Sequence, residues 1–174
     1  MLNLIKNIFR KSCLKRERST VPTGMMAPEK LRSAVVLLDT DDIRLHECTE
    51  AVSAFFREYG LRGRIFCLDL KSSGDSEQMY GRTVNRKNTN WYGKPDETVT
   101  DELKLDENGL FLSLTDSSSF TAEYLAKSSG AGFKIGRRQL PGDTFDLVIK
   151  DSGEERVAQT DIFREVLATI KKIK

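Results

Sequence analysis

The sequence predicts a three-layer α/β domain, Rossmann-like in plan, with a mostly parallel five-stranded sheet and helices on both faces. Three observations carry that expectation. Short apolar runs recur along the chain with helical patterns between them. The first two runs are separated by a helix-length segment, and a crossover of that size favours parallel pairing. A chain of 174 residues, 39% hydrophobic and 31% charged, has enough apolar material for one core and suits one domain better than two.

The elements follow in order. Met1 to about Glu17 reads as a basic amphipathic helix, with Leu2, Ile5, Ile8 and Phe9 at three- and four-residue spacings and Lys6, Arg10 and Lys11 turned outward. Residues 1–18 hold six Lys or Arg against one Glu, so +5 of charge sits there while the rest of the chain nets −3. Residues 19–31 read as a linker, because Pro22, Gly24 and Pro28 interrupt regular backbone hydrogen bonding. Such a linker lets the helix stand apart from the body; the alternative is that Leu2, Ile5 and Phe9 dock on it. Residues 32–174 then form the single α/β domain.

Ser33 to Leu38 is a continuous apolar run of the kind found in strands covered on both sides, and Asp39, Thr40, Asp41 and Asp42 end it. Ile43 to Tyr59 places Ile43, Ala51, Val52, Phe55 and Phe56 along a helix, with Gly60 as its stop. Arg64 to Leu70 is the second strand. Lys71 to Asn90 reads as irregular, and Trp91-Tyr-Gly-Lys-Pro95 follows it abruptly. Further strands are predicted at Gly109 to Leu114, Ala131 to Gly136 and Phe145 to Ile149, with helices at Ser119 to Lys127 and Val157 to Ile173.

Several functional classes find little support. The body is close to neutral, which argues against nucleic acid as the partner of the whole domain. Cys13, Cys48 and Cys67 are an odd set without a CxxC, the wrong pattern for a disulfide scaffold or a cysteine zinc site. Cys67 reads as a core thiol, while Cys13 reads as exposed, with basic neighbours that lower its thiol pKa. No apolar run approaches 18 residues, and Lys6, Arg10 and Lys11 break the pattern of a secretory signal. The expected location is therefore cytoplasmic, with no metal and no cofactor.

Parallel α/β sheets bind ligands at the carboxyl ends of their strands. Two such places stand out. Asp39 to Asp42 offers carboxylates, Asp41 among them, for a hard cation or a sugar hydroxyl, or simply for capping the next helix. Thr115, Asp116, Ser117 and Ser119 offer hydroxyls before a helix start, suited to an anion, with Ser119 as an ordinary N-cap the simpler reading. Neither place carries a dinucleotide glycine fingerprint or a phosphate-loop ending. Trp91, Tyr92 and Lys94 pair aromatic rings with a cation, as a stacking site for a charged ligand or as a loop tucked against the core. His46, the single histidine, has no nucleophile at a fixed spacing.

The basic first helix, the strand ending at Asp39, Asn90 to Pro95, and Leu112 to Asp116 followed by Tyr124 to Gly136 together resemble an uncharacterised family of small α/β proteins from Bacteroidetes. That resemblance spans most of the chain and implies a fold without an activity. Gly109 to Gly136 is locally similar to the N-terminal domain of lipopolysaccharide heptosyltransferases. The likeness implies an acceptor-type domain, and 174 residues leave no room for the second, donor-binding domain of those enzymes.

The expected function is a noncatalytic binding or adaptor domain at the cytoplasmic membrane face, where Leu2, Ile5, Lys6, Phe9, Arg10 and Lys11 meet anionic lipid. One alternative is a sugar- or phosphate-active enzyme using Asp39 and Asp116 as its acid and base, with Lys94 steadying the anion. The other is a helix that binds a protein partner.

Overall fold

The computed structural model describes residues 2–17, 21–71, 80–116, 119–150 and 157–174. Its sheet has strands β1 (Ser33–Asp39), β2 (Arg62–Asp69), β3 (Arg82–Asn85), β4 (Gly109–Ser113), β5 (Phe133–Gly136) and β6 (Leu147–Val148). The helices are α1 (Leu2–Arg16), α2 (Leu45–Glu58), α3 (Glu97–Leu103), α4 (Phe120–Ser128) and α5 (Gln159–Ile170). Strand order is β3-β2-β1-β4-β5-β6 and every pairing is parallel. The fold is the expected three-layer α/β arrangement with a Rossmann-like order.

Alternation along the strands builds two cores. Ala34, Val36 and Leu38 of β1 join Val52 and Phe55 of α2 and Phe163 and Val166 of α5 on one face. Val35 and Leu37 join Val99 and Leu103 of α3 and Leu125 of α4 on the other. A two-residue side-chain period serves both layers at once, which is why β1 is apolar at nearly every position. Its residues Ala34 to Leu38 have no exposure.

Three expectations need correction. Among the described residues the sheet has six strands, not five: β3 lies inside the stretch read as irregular, and it is an edge strand of only four residues, too short to show a period. The rest of that stretch, residues 72–79, lies outside the described residues. α3 was not anticipated either, although Asp96 caps it by accepting a hydrogen bond from the Val99 N–H at 3.0 Å. Ile43 is 95% exposed and precedes α2 instead of packing within it. Gly60 does end that helix, at a φ of 62° that suits glycine.

The segment from Val21 to Leu31 runs along the body. The Gly24 N–H donates to the Gly132 carbonyl at 3.0 Å, Pro28–Lys30 form a 3₁₀ turn, and Leu31 enters the core. Ahead of it, α1 packs on α4 and on the turn before α3. Among the described residues no helix is long and apolar enough to cross a membrane.

Candidate functional site

The turn from Asn90 to Lys94 positions the aromatic pair. The Asn90 side-chain oxygen accepts from the N–H groups of Tyr92 and Lys94, at 3.2 and 3.0 Å, and the Asn90 N–H donates to the Lys94 carbonyl at 2.9 Å. Gly93 completes the turn at a φ of 95°, a conformation that side chains resist. A Cβ there would meet Thr121 Oγ1 at 3.3 Å and an Arg10 nitrogen at 3.5 Å, so the turn, α4 and α1 converge on this glycine. The Thr121 hydroxyl donates to the Gly93 carbonyl at 2.8 Å and fixes the turn against α4.

α1 approaches from the other side. Phe9 stacks on Tyr92 with ring centroids 5.9 Å apart and meets Trp91 edge-on at 5.4 Å. Arg10 Nε donates to the Tyr92 carbonyl at 2.7 Å, and its guanidinium lies over the Phe120 ring at 5.2 Å. The Tyr124 hydroxyl donates to the Glu17 carboxylate at 2.8 Å. Burial and that carboxylate both push the Tyr124 pKa up.

Between α1 and the turn lies a cleft of about 550 Å³ lined by Lys6, Arg10, Arg86, Trp91, Gly93 and Thr121, with Leu70, Thr89 and Asn90 completing the wall. Among the described residues no carboxylate lines it. Arg86 Nε donates to the Leu70 carbonyl at 2.9 Å, so both arginines are anchored by main chain rather than by acid. Lys6 and Arg10, expected to turn outward, sit at this cleft, while Lys11 is exposed.

The same helix shows an apolar stripe to solvent. Leu2, Leu4, Ile5, Ile8 and Phe9 are between 42% and 72% exposed, and no residue of α1 is buried. Phe9 is therefore both an anchor on Trp91 and Tyr92 and part of the open edge. Leu4 escaped the sequence reading, although its four-residue spacing to Ile8 signalled it.

The other predicted residues are spread around the strand ends. Asp39 Oδ2 accepts the Asp116 N–H at 2.8 Å, while the Asp116 carboxylate pairs with Arg138. Asp41 pairs with Lys71 at 2.6 Å. The Thr115 and Ser113 hydroxyls share a hydrogen bond of 3.0 Å, and Thr115 is buried. Ser119 caps α4 by accepting from the Ala122 N–H at 3.1 Å. Ser117 lies outside the described residues. Lys94 sits over the Tyr124 ring at 5.6 Å and does not line the cleft.

The thiols divide as buried and half-buried. Burial raises Cys67 to about 11 and Cys48 to about 12, in keeping with core roles. Cys13 departs from expectation: burial raises its pKa and outweighs the lowering by Lys94, since α1 turns this residue toward the body. Among the described residues no group of three or more His, Cys, Asp or Glu is placed to hold a metal ion.

A family model described as a family of unknown function (DUF6913) matches residues 2–167. No curated protein and no solved structure matches the chain. The matched span runs from α1 through most of α5, so the first helix is part of the shared unit along with the sheet, and the chain belongs to the DUF6913 family.

Proposed function

We propose that this protein is a noncatalytic binding or adaptor domain held at the inner, cytoplasmic face of a membrane by α1. One observation carries the reading: Leu2, Leu4, Ile5 and Ile8 stand exposed beside Lys11 and Lys15, which are exposed as well. Apolar burial with flanking basic charge is the chemistry of an interfacial helix on anionic lipid. A fully buried Leu or Ile contributes about 1.5–3 kcal/mol, and each nearby Lys or Arg about 1 kcal/mol at an anionic surface. Screening by salt weakens the second contribution and spares the first.

The enzymatic alternative has less support. That alternative takes Gly109 to Gly136 as a heptosyltransferase-like acceptor domain in a protein of Bacteroidetes origin. Asp39 and Asp116 are each engaged within the fold, one by a backbone N–H and the other by Arg138, and neither lines the cationic cleft.

The test is cosedimentation of the full chain with neutral and anionic vesicles. Binding is expected with anionic vesicles, decreasing as salt rises, and the double substitution Leu4→Gln with Ile8→Gln should weaken it at least tenfold. Equal recovery with both vesicle types, or recovery unchanged by the substitutions, refutes the membrane role. Capture of a protein by α1 without any lipid response would favour the partner-binding alternative.

A further inference from the structure

We propose that the cleft between α1 and the Asn90–Lys94 turn is a binding site for a phosphate-bearing ligand, distinct from the exposed apolar stripe of the same helix. Lys6, Arg10 and Arg86 come from two separate parts of the chain, yet all three line one concavity in whose wall no carboxylate stands among the described residues. Several cations elsewhere are neutralised by acids: Arg44 with Asp161, Arg82 with Glu102, Lys127 with Glu123 and Arg164 with Glu47 are ion-paired. Among the described residues the three cleft cations have no acidic partner. Like charges gathered in a concave, partly apolar site repel one another and focus a positive potential, which an anion relieves.

Preorganisation separates this site from an ordinary solvated basic surface. The Nε–H groups of Arg10 and Arg86 are held by the Tyr92 and Leu70 carbonyls, which fixes the two guanidinium planes and leaves their terminal N–H groups for a ligand. Arg10 is further held over the Phe120 ring, and the turn beneath it is pinned by Thr121. Guanidinium groups already fixed lose little freedom on binding, and their fork geometry matches phosphate oxygens. Thr89, Asn90 and Thr121 add polar groups to the wall, while Trp91 supplies an aromatic edge beside the cations. A carboxylate ligand would use the charge as well, but the convergence of three cations suits the higher charge and three-oxygen face of a phosphate monoester.

The phosphate has two sources, a soluble metabolite or a lipid headgroup, and Trp91 can distinguish them. It is the only tryptophan of the chain and is half exposed in the cleft wall, so its emission reports occupancy. Full-length protein is titrated with inorganic phosphate and glycerol phosphate in one arm. The other arm uses phosphatidic acid vesicles against phosphatidylglycerol vesicles of equal surface charge. A saturable emission change in the soluble arm, about tenfold weaker in Arg86→Gln and Lys6→Gln and partly restored in Arg86→Lys, establishes a soluble ligand. A change that appears only with vesicles, favours phosphatidic acid and is lost in the same variants assigns the site to a headgroup. No response in either arm overturns the site, as does a response equal in wild type and both Gln variants. Circular dichroism confirms that each variant is folded, and Lys6 makes no hydrogen bond whose loss would disturb α1. The soluble arm contains no bilayer, so it succeeds or fails independently of the membrane role.

Discussion

Two places on the carboxyl edge of the sheet use their charged groups in opposite ways. At the carboxyl ends of β1 and β4, where the strand order reverses, the acidic residues close on the fold itself. The Asp39 N–H donates to Gln159 Oε1 at 2.7 Å, Gln159 Nε2 donates back to the Asp39 carbonyl at 3.0 Å, and the Gln159 N–H donates to Asp42 at 3.0 Å. Asp39 also holds the 115–116 backbone, and Asp161 at the start of α5 holds Arg44. In the cleft beside α1 the two arginines have main-chain anchors, and among the described residues no acid lines the wall. The crevice at the β1–β4 switch point is thus laced shut by β1, α2 and α5, and the ligand-accessible charge lies further along the same carboxyl edge, past β2 and β3. A site is read from which charges remain unneutralised, and the mere presence of charged residues at a strand end does not reveal it.

The largest expected effect breaks the closed side. Gln159 is 1% exposed and its side chain serves both main-chain groups of Asp39. Gln159→Leu keeps the bulk and removes both bonds, so a stability loss of about 2–3 kcal/mol is expected from denaturant unfolding. Phosphate binding at the cleft should stay unchanged, because Gln159 lies on the opposite layer with α5. The converse substitution, Arg86→Gln, should weaken anion binding about tenfold while moving the unfolding midpoint little, since the side chain is exposed and carries one backbone hydrogen bond.

A smaller effect comes from a cation that the fold buries instead of presenting. Lys134 on β5 is 3% exposed, and burial lowers its pKa from the ordinary 10.5, with Asp146 opposing and Lys127 assisting that shift. A lysine that releases its proton earlier when folded leaves the unfolded chain holding more protons between the two pKa values. Stability attributable to this group therefore rises with pH up to the unfolded value near 10.5 and is weakest below the folded one. Lys134→Met should raise stability by about 1 kcal/mol at neutral pH and flatten that slope, measured by unfolding at several pH values. The smallest effect is an absence of reaction. Cys48 and Cys67, buried and raised to about 12 and 11, should resist a thiol reagent at pH 8 in the native state, and Cys13 should react slowly for an accessible thiol.

Legibility in the sequence followed the strength of the local signal. β1 announced itself through an unbroken apolar run, and α2 through its stop at Gly60. Ser119 as a cap of α4 followed from residue type alone. β3 and α3 were missed because four and seven residues carry no period that separates them from loop, and their stability comes from pairing with β2 and from packing Val99 and Leu103 into the core. Trp91 and Tyr92 are visible as an aromatic pair, whereas the cations that share their cleft are not their sequence neighbour Lys94. Its side chain goes to Tyr124, and the cleft takes Lys6 and Arg10 from a helix more than eighty residues away.

By itself the sequence determined the fold class, the alternation that serves two cores, and the concentration of basic charge in residues 1–18, since each depends on residue type and near-neighbour spacing. Tertiary structure alone decided that α1 lies against the Asn90–Lys94 turn, that the Asp39 and Asp42 carboxylates accept the backbone N–H groups of Asp116 and Gln159, and that cations from two remote segments share one concavity. The physical reason is range: periodicity and propensity act over a few residues, whereas which charges meet partners is fixed only when segments remote in the chain pack together.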